Sequence, residues 1–209
     1  MLILRHAWER GVRRGSIMSI ADELSLPKHH TLEEILAHPR FTEARNAMVR
    51  EMLSLYEHET FLNRLLLEVG RNLVFVVIMC LDPRYRDDDP ATWPTLAAIT
   101  RAMAGFNLAS PRRVADLVPR LIETGYLAQH VARRDRRARI LRPTKKMIAQ
   151  DQDWLVSHYM PLQVLYPEPG YARIMQRDPA FQRAQRFVSA SFFRSPPRPW
   201  RATPPCCAS

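Results

Sequence analysis

The segment 95–147 limits the fold more than any other part of the chain, because start and stop signals for several elements follow one another there. Ser110-Pro111 places an N-cap hydroxyl before a proline at the first helical position, and Gly125 supplies the stop. Between them Val114, Leu117, Val118, Leu121 and Ile122 recur at i, i+3, i+4, i+7 and i+8, the apolar stripe of an amphipathic helix. Upstream, Leu96, Ile99, Thr100 and Met103 make one face of a shorter helix, with Gly105 as its C′ residue. Downstream, 126–131 reads as a strand, 132–138 as a charged turn and 139–142 as a returning strand. Thr144 then opens a helix expected to reach about Tyr159. The order predicts a mainly α protein containing a winged helix-turn-helix, a three-helix core with a small two-stranded β wing, set between flanking helices.

Charge falls on the same segment. The chain of 209 residues carries a net charge of +10. Between positions 110 and 146, eleven basic residues stand against Asp116, Glu123 and Asp135, so this stretch holds 11 − 3 = +8. A local positive field of this size favours polyanions, nucleic acid before anionic membrane. On the second helix, about 110–124, Arg112, Arg113, Asp116 and Arg120 lie opposite the apolar stripe. Arginine can donate two parallel hydrogen bonds to guanine in the major groove, and Ser110 with the helix N-terminus suits a phosphate. The turn, about 132–139, concentrates Arg133, Arg134, Asp135, Arg136, Arg137 and Arg139, a set suited to a minor groove or its flanking phosphates. Lys145, Lys146 and Arg142 follow as candidate phosphate contacts.

Elsewhere the signals are plainer. Residues 1–30 read as poorly ordered, with Met18 a candidate start in place of Met1. Thr31 and Glu34 fit a capping box opening a short helix that Pro39 ends. Residues 42–69 read as one helix carrying Met48, Met52, Leu55 and Tyr56, with Gly70 as its break. Residues 72–81 are apolar on all sides, a buried helix in preference to a strand, stopped by Asp82-Pro83. Asp178-Pro179 opens a last helix through Phe181, Ala184, Phe187 and Val188, and 194–209 is Pro-rich and expected to be disordered. The chain thus divides into 1–30, N-terminal helices over 31–85, the winged region over 86–147, C-terminal helices over 148–193, and the tail.

Three pieces in order, LIETGYL (121–127), the triplet Asp135-Arg136-Arg137 and RPTKK (142–146), resemble the winged-helix regulators of the multiple-antibiotic-resistance regulator (MarR) family. The resemblance covers about a quarter of the chain. It implies a homodimeric DNA-binding regulator of transcription, with N- and C-terminal helices pairing between protomers; the function expected is that of a repressor that occludes a promoter, and the location expected from the cysteine usage is cytoplasmic. It further implies that the wing acid, Asp135, braces an arginine, and that Arg136 or Arg137 enters a minor groove. The chain departs from the family pattern at Pro119, inside the second helix, and at Pro143, where the family has leucine. Pro119 leaves the role of Arg120 open, since proline removes one helix hydrogen bond and can kink the helix. The alternative is a winged-helix module that binds RNA or assembles with a partner protein without reading DNA sequence.

Several classes find no support in the residues. Three cysteines, Cys80, Cys206 and Cys207, make no disulfide framework and fit a reducing compartment. The longest apolar run, 73–81, is far below the ~20 residues a membrane span needs. The seven histidines show no ligand spacing, Asp87-Asp88-Asp89 lacks the glycine and distal glutamate of a calcium loop, and no phosphate loop or nucleophile elbow is present. No enzyme, metal or cofactor is therefore expected. Trp154, Tyr159, Tyr166 and Tyr171 are candidates to line a small-molecule effector pocket, against the simpler expectation that they pack.

Overall fold

Thr31 begins the ordered N-terminal part as the sequence predicts: its hydroxyl accepts from Glu34 N (3.1 Å) while the Glu34 carboxylate accepts from Thr31 N (2.8 Å). The computed structural model describes residues 30–57, 67–167 and 169–193. The expectations for 1–29 and for the tail from 194 onward lie outside them. The capping box opens α1 (Leu32–Ala37), and α2 (Phe41–Glu57) follows after Pro39. The single helix expected over 42–69 is not what forms, because Val69 already belongs to the next helix, α3 (Val69–Leu81).

Gly70, expected as a break, sits buried in the first turn of α3. A Cβ placed on it would stand 2.4 Å from the carbonyl oxygen of Leu108, so the glycine is required by close packing rather than by chain reversal. Gly70→Ala is expected to destabilise the fold by about 1–3 kcal/mol through overpacking against rigid backbone, read as a lower midpoint in thermal unfolding. A variant that melts with the wild type would show that the α3–Leu108 approach relaxes freely.

The rest of α3 is buried on nearly every side, as its unbroken apolar sequence requires; Val77, Ile78 and Cys80 are wholly inaccessible. Burial pushes the Cys80 thiol up to about 12, which leaves it inert. Two short 3₁₀ turns (Asp82–Arg84 and Pro90–Thr92) lead to α4 (Leu96–Ala104), capped by Thr95, and α5 (Pro111–Glu123), capped by Ser110. Gly105 ends α4 with φ −67, not in the left-handed conformation expected of a C′ glycine; Asn107 takes that conformation instead, at φ 53. Gly125 does adopt it, at φ 75. The chain then enters an antiparallel hairpin, β1 (Leu127–Val131) with β2 (Arg139–Pro143), in register Leu127↔Pro143 to Val131↔Arg139.

Thr144 caps α6 (Lys145–Leu165), which runs past the expected end near Tyr159 and through Pro161. Two further α-helices follow, the unforeseen α7 (Pro169–Met175) and the expected α8 (Pro179–Ser189), whose N-cap is Asp178, and a 3₁₀ turn (Ala190–Phe193) closes the described chain. The molecule is mainly helical with one small two-stranded sheet, an arrangement compatible with a winged helix. No helix among the described residues is long and apolar enough to cross a membrane.

The main core joins α3, α4 and α5 to the base of the hairpin through Val74, Ile78, Ile99, Met103, Leu121 and Leu141. A second cluster ties α6 to α7 and α8. Of the four aromatic residues that are candidates for an effector pocket, Tyr171 is buried here and Trp154, Tyr159 and Tyr166 pack against the cluster partly buried, Tyr159 meeting the Phe181 ring edge-on at 6.0 Å. α2 lies along α6 of the same chain, and α1 covers the end of that pair with Ile35 against Leu165.

Asp151 and Arg186 form an ion pair inside the α6–α8 layer, 1% and 3% exposed, with two hydrogen bonds between them. Gln182 donates to the same carboxylate at 2.7 Å. Desolvation opposes the Arg186 charge, and the Asp151 carboxylate more than offsets it, holding the guanidinium above its ordinary range.

Candidate nucleic-acid interface

Helix α5 is held by one face and open on the other. Val114, Leu117, Val118 and Leu121 are buried, whereas Arg112, Arg113, Asp116 and Arg120 are exposed, the division that the sequence stripe predicts. Ser110 Oγ accepts from Arg113 N at 3.3 Å, fixing the first turn. Pro119 falls on the exposed face, so the missing hydrogen bond is on the solvent side and α5 continues as one helix to Glu123. Arg120 therefore stays on the same helix as Arg113, two turns away.

Among the described residues, the side chains of Arg112, Asp116 and Arg120 make no hydrogen bond or ion pair. Arg113 does: its Nη1 lies 3.0 Å from Glu68 Oε1, just before α3. Asp116, the acid nearest in sequence on the same face, is not its partner. The actual partner is 45 positions away in the chain, brought there by the Gly70–Leu108 approach.

The hairpin loop is ordered by its own backbone. Ala132 N donates to Ala138 O (3.1 Å) and Ala138 N to Asp135 O (3.0 Å). Asp135 Oδ1 accepts from the backbone N–H of Arg137 at 2.9 Å; the acid thus braces the turn at Arg137, and not through an arginine side chain as the resemblance implies. Arg139 Nη1 donates to Arg136 O (2.8 Å), and Arg134 Nη1 reaches Asp88 O (3.4 Å). The side chains of Arg133, Arg136 and Arg137 remain exposed, and among the described residues they make no hydrogen bond or ion pair. Lys145 is exposed at the first turn of α6, and Lys146 Nζ stands 4.3 Å over the Tyr126 ring.

Apart from Lys145 on α6, the candidate residues fall into two groups, one at α5 and its cap and one on the hairpin loop, and among the described residues no side-chain hydrogen bond or ion pair joins them. They are placed together by backbone: Tyr126 N donates to Leu121 O (2.8 Å), and the Thr144 hydroxyl donates to Gly125 O (2.7 Å).

Residues absent from the sequence-level set support the hairpin from below. Trp93, Ala132 and Ile140 form a small buried cluster with Tyr85, and Trp93 Nε1 donates to Arg86 O (3.0 Å). Leu141 N donates to Pro94 O (2.9 Å), so 93–94 lies beside β2 as a short third strand would. Arg142, weighed as a phosphate contact, is a structural residue: it is paired with Asp82 and lies over the Tyr85 ring at 4.5 Å. A tryptophan next to a proline before a capped helix is a sequence signal that could have marked this support. Arg101, exposed in the last turn of α4, was also passed over.

No protein-family model, curated protein or solved structure matches this chain. No group of His, Cys, Asp and Glu among the described residues is placed to hold a metal ion. What the arrangement can do chemically is donate: guanidinium groups on a rigid helix and on a braced loop offer hydrogen bonds and positive charge to phosphates and base edges. Replacing Arg136 and Arg137 together with alanine is expected to weaken binding to any duplex, and to flatten the dependence of log K on log salt by up to about 2, one per lost phosphate contact. An unchanged slope would remove the loop from the interface.

Proposed function

We propose that this chain is a cytoplasmic transcriptional regulator that binds double-stranded DNA, with α3, α4 and α5 as a winged helix-turn-helix and β1–β2 as its wing. The observation that carries the reading is a set of guanidinium groups with no partner among the described residues, Arg112 and Arg120 on the open face of α5 and Arg136 and Arg137 on the loop, above a helix whose opposite face is buried. A reading helix must be rigid on one side and rich in donors on the other, and α5 meets both conditions. α5 enters the major groove, the wing follows an adjacent phosphate or minor groove, and Arg101 and Lys145 add backbone contacts.

The active form is a homodimer, as the MarR resemblance implies, and it acts as a repressor by occluding a promoter. Leu32, Leu36, Val49 and Leu53, all large, apolar and exposed on α1 and α2, support a second copy covering the N-terminal helices. The test is a titration of a duplex from the gene's own upstream region at several salt concentrations, with random duplex and RNA as competitors. Selective binding that weakens ~10³-fold between low and moderate salt is the expected result. Weak binding without preference for the duplex would turn the reading to RNA or to a protein partner.

A further inference from the structure

Glu68 is the N-cap residue of α3, yet its carboxylate makes no capping hydrogen bond. It faces two arginines instead: Oε2 lies 2.9 Å from Arg71 Nε, and Oε1 lies 3.0 Å from Arg113 Nη1. The contact is built by the fold. Gly70 lets the start of α3 close onto Leu108, two residues before the Ser110 cap, and this sets Glu68 against the first turn of α5. Exposed ion pairs add little to stability. The electrostatic effect is larger, because a partly exposed carboxylate beside α5 disfavours a nearby phosphate. Only Nη1 of Arg113 is engaged by Glu68, so the Nε–Nη2 edge, one of the two forks by which arginine can grip guanine, keeps its donors.

We propose that Glu68 is a specificity-determining residue of the DNA interface, aiming the Nε–Nη2 edge of Arg113 at a base while holding that arginine off the phosphates. The inference rests on the DNA-reading function proposed above. On the correct sequence Arg113 keeps Glu68 and grips the base with its other edge. On a wrong sequence Arg113 reaches a phosphate only by leaving Glu68, so non-specific binding is weakened selectively.

The experiment compares wild type, Glu68→Gln, Arg113→Ala and the double variant on operator and random duplex over a salt series. Glu68→Gln is expected to bind random duplex about 3–10-fold more tightly, with a salt slope steeper by about 0.9 for one added phosphate contact. Operator affinity should change less, so the ratio of the two falls. In the Arg113→Ala background the gain on random duplex should vanish. Equal gains on both duplexes, an unchanged ratio, or a gain that persists without Arg113 would overturn the role of Glu68 while leaving DNA reading intact. A wild-type chain that does not prefer operator over random duplex would remove both.

Discussion

Asp151→Ala is expected to lower the stability of the fold by about 3–5 kcal/mol, the cost of leaving a buried charge without its partner. Arg186 is 3% exposed and has the Asp151 carboxylate on two of its nitrogens, so truncation strands a guanidinium where water does not reach. Gln182 loses one of its two acceptors in the same step and keeps the Ile148 carbonyl. Urea unfolding followed by circular dichroism measures the loss directly. Replacing both members with apolar residues, Asp151→Leu with Arg186→Met, is expected to recover most of it, because desolvation of the pair offsets much of its attraction. A single variant that loses less than about 1 kcal/mol would mean that Arg186 finds water or another acceptor.

Arg112→Ala with Arg113→Ala is expected to reduce operator affinity on the order of 100-fold, since one good arginine–guanine pair is worth about 1–3 kcal/mol. Random duplex should lose far less, because on the proposed reading its binding rests on phosphate contacts spread over α5 and the wing. Both positions are exposed on a helix whose buried stripe is untouched, so the fold should be unaffected and the melting curve is the control. Equal losses on the two duplexes would contradict base reading by α5.

What the sequence made legible was local. Ser110 with Pro111, Thr31 with Glu34, and Asp178 with Pro179 each cap a helix where expected, because a cap is decided within four residues. The hairpin was legible for the same reason, with Gly125 and Asp135 shaping its entry and its turn. What escaped depends on approach across the chain. Gly70 carries the composition of a break but answers to the Leu108 carbonyl, which no window around it contains. Glu68, Asp82 and Arg186 look like ordinary surface charges in sequence, and each finds a partner 35 or more positions away. The aromatic residues of α6 and α7 carry no mark that tells a pocket lining from packing, and only the neighbouring Leu155, Ile174 and Phe181 decide for packing.

The 3₁₀ turn Asp82–Arg84 works as a mechanical joint. Asp82 anchors Arg142 of β2. Pro83 O accepts from Arg183 Nη2 (3.2 Å), and Arg84 Nη2 donates to Phe187 O (3.2 Å) with its guanidinium over the Phe187 ring. Three consecutive residues thus grip the root of the hairpin on one side and α8 on the other. Any displacement of α8 loads that joint, and the stiffness of the hairpin is set in part by a helix that begins more than thirty residues after the hairpin ends.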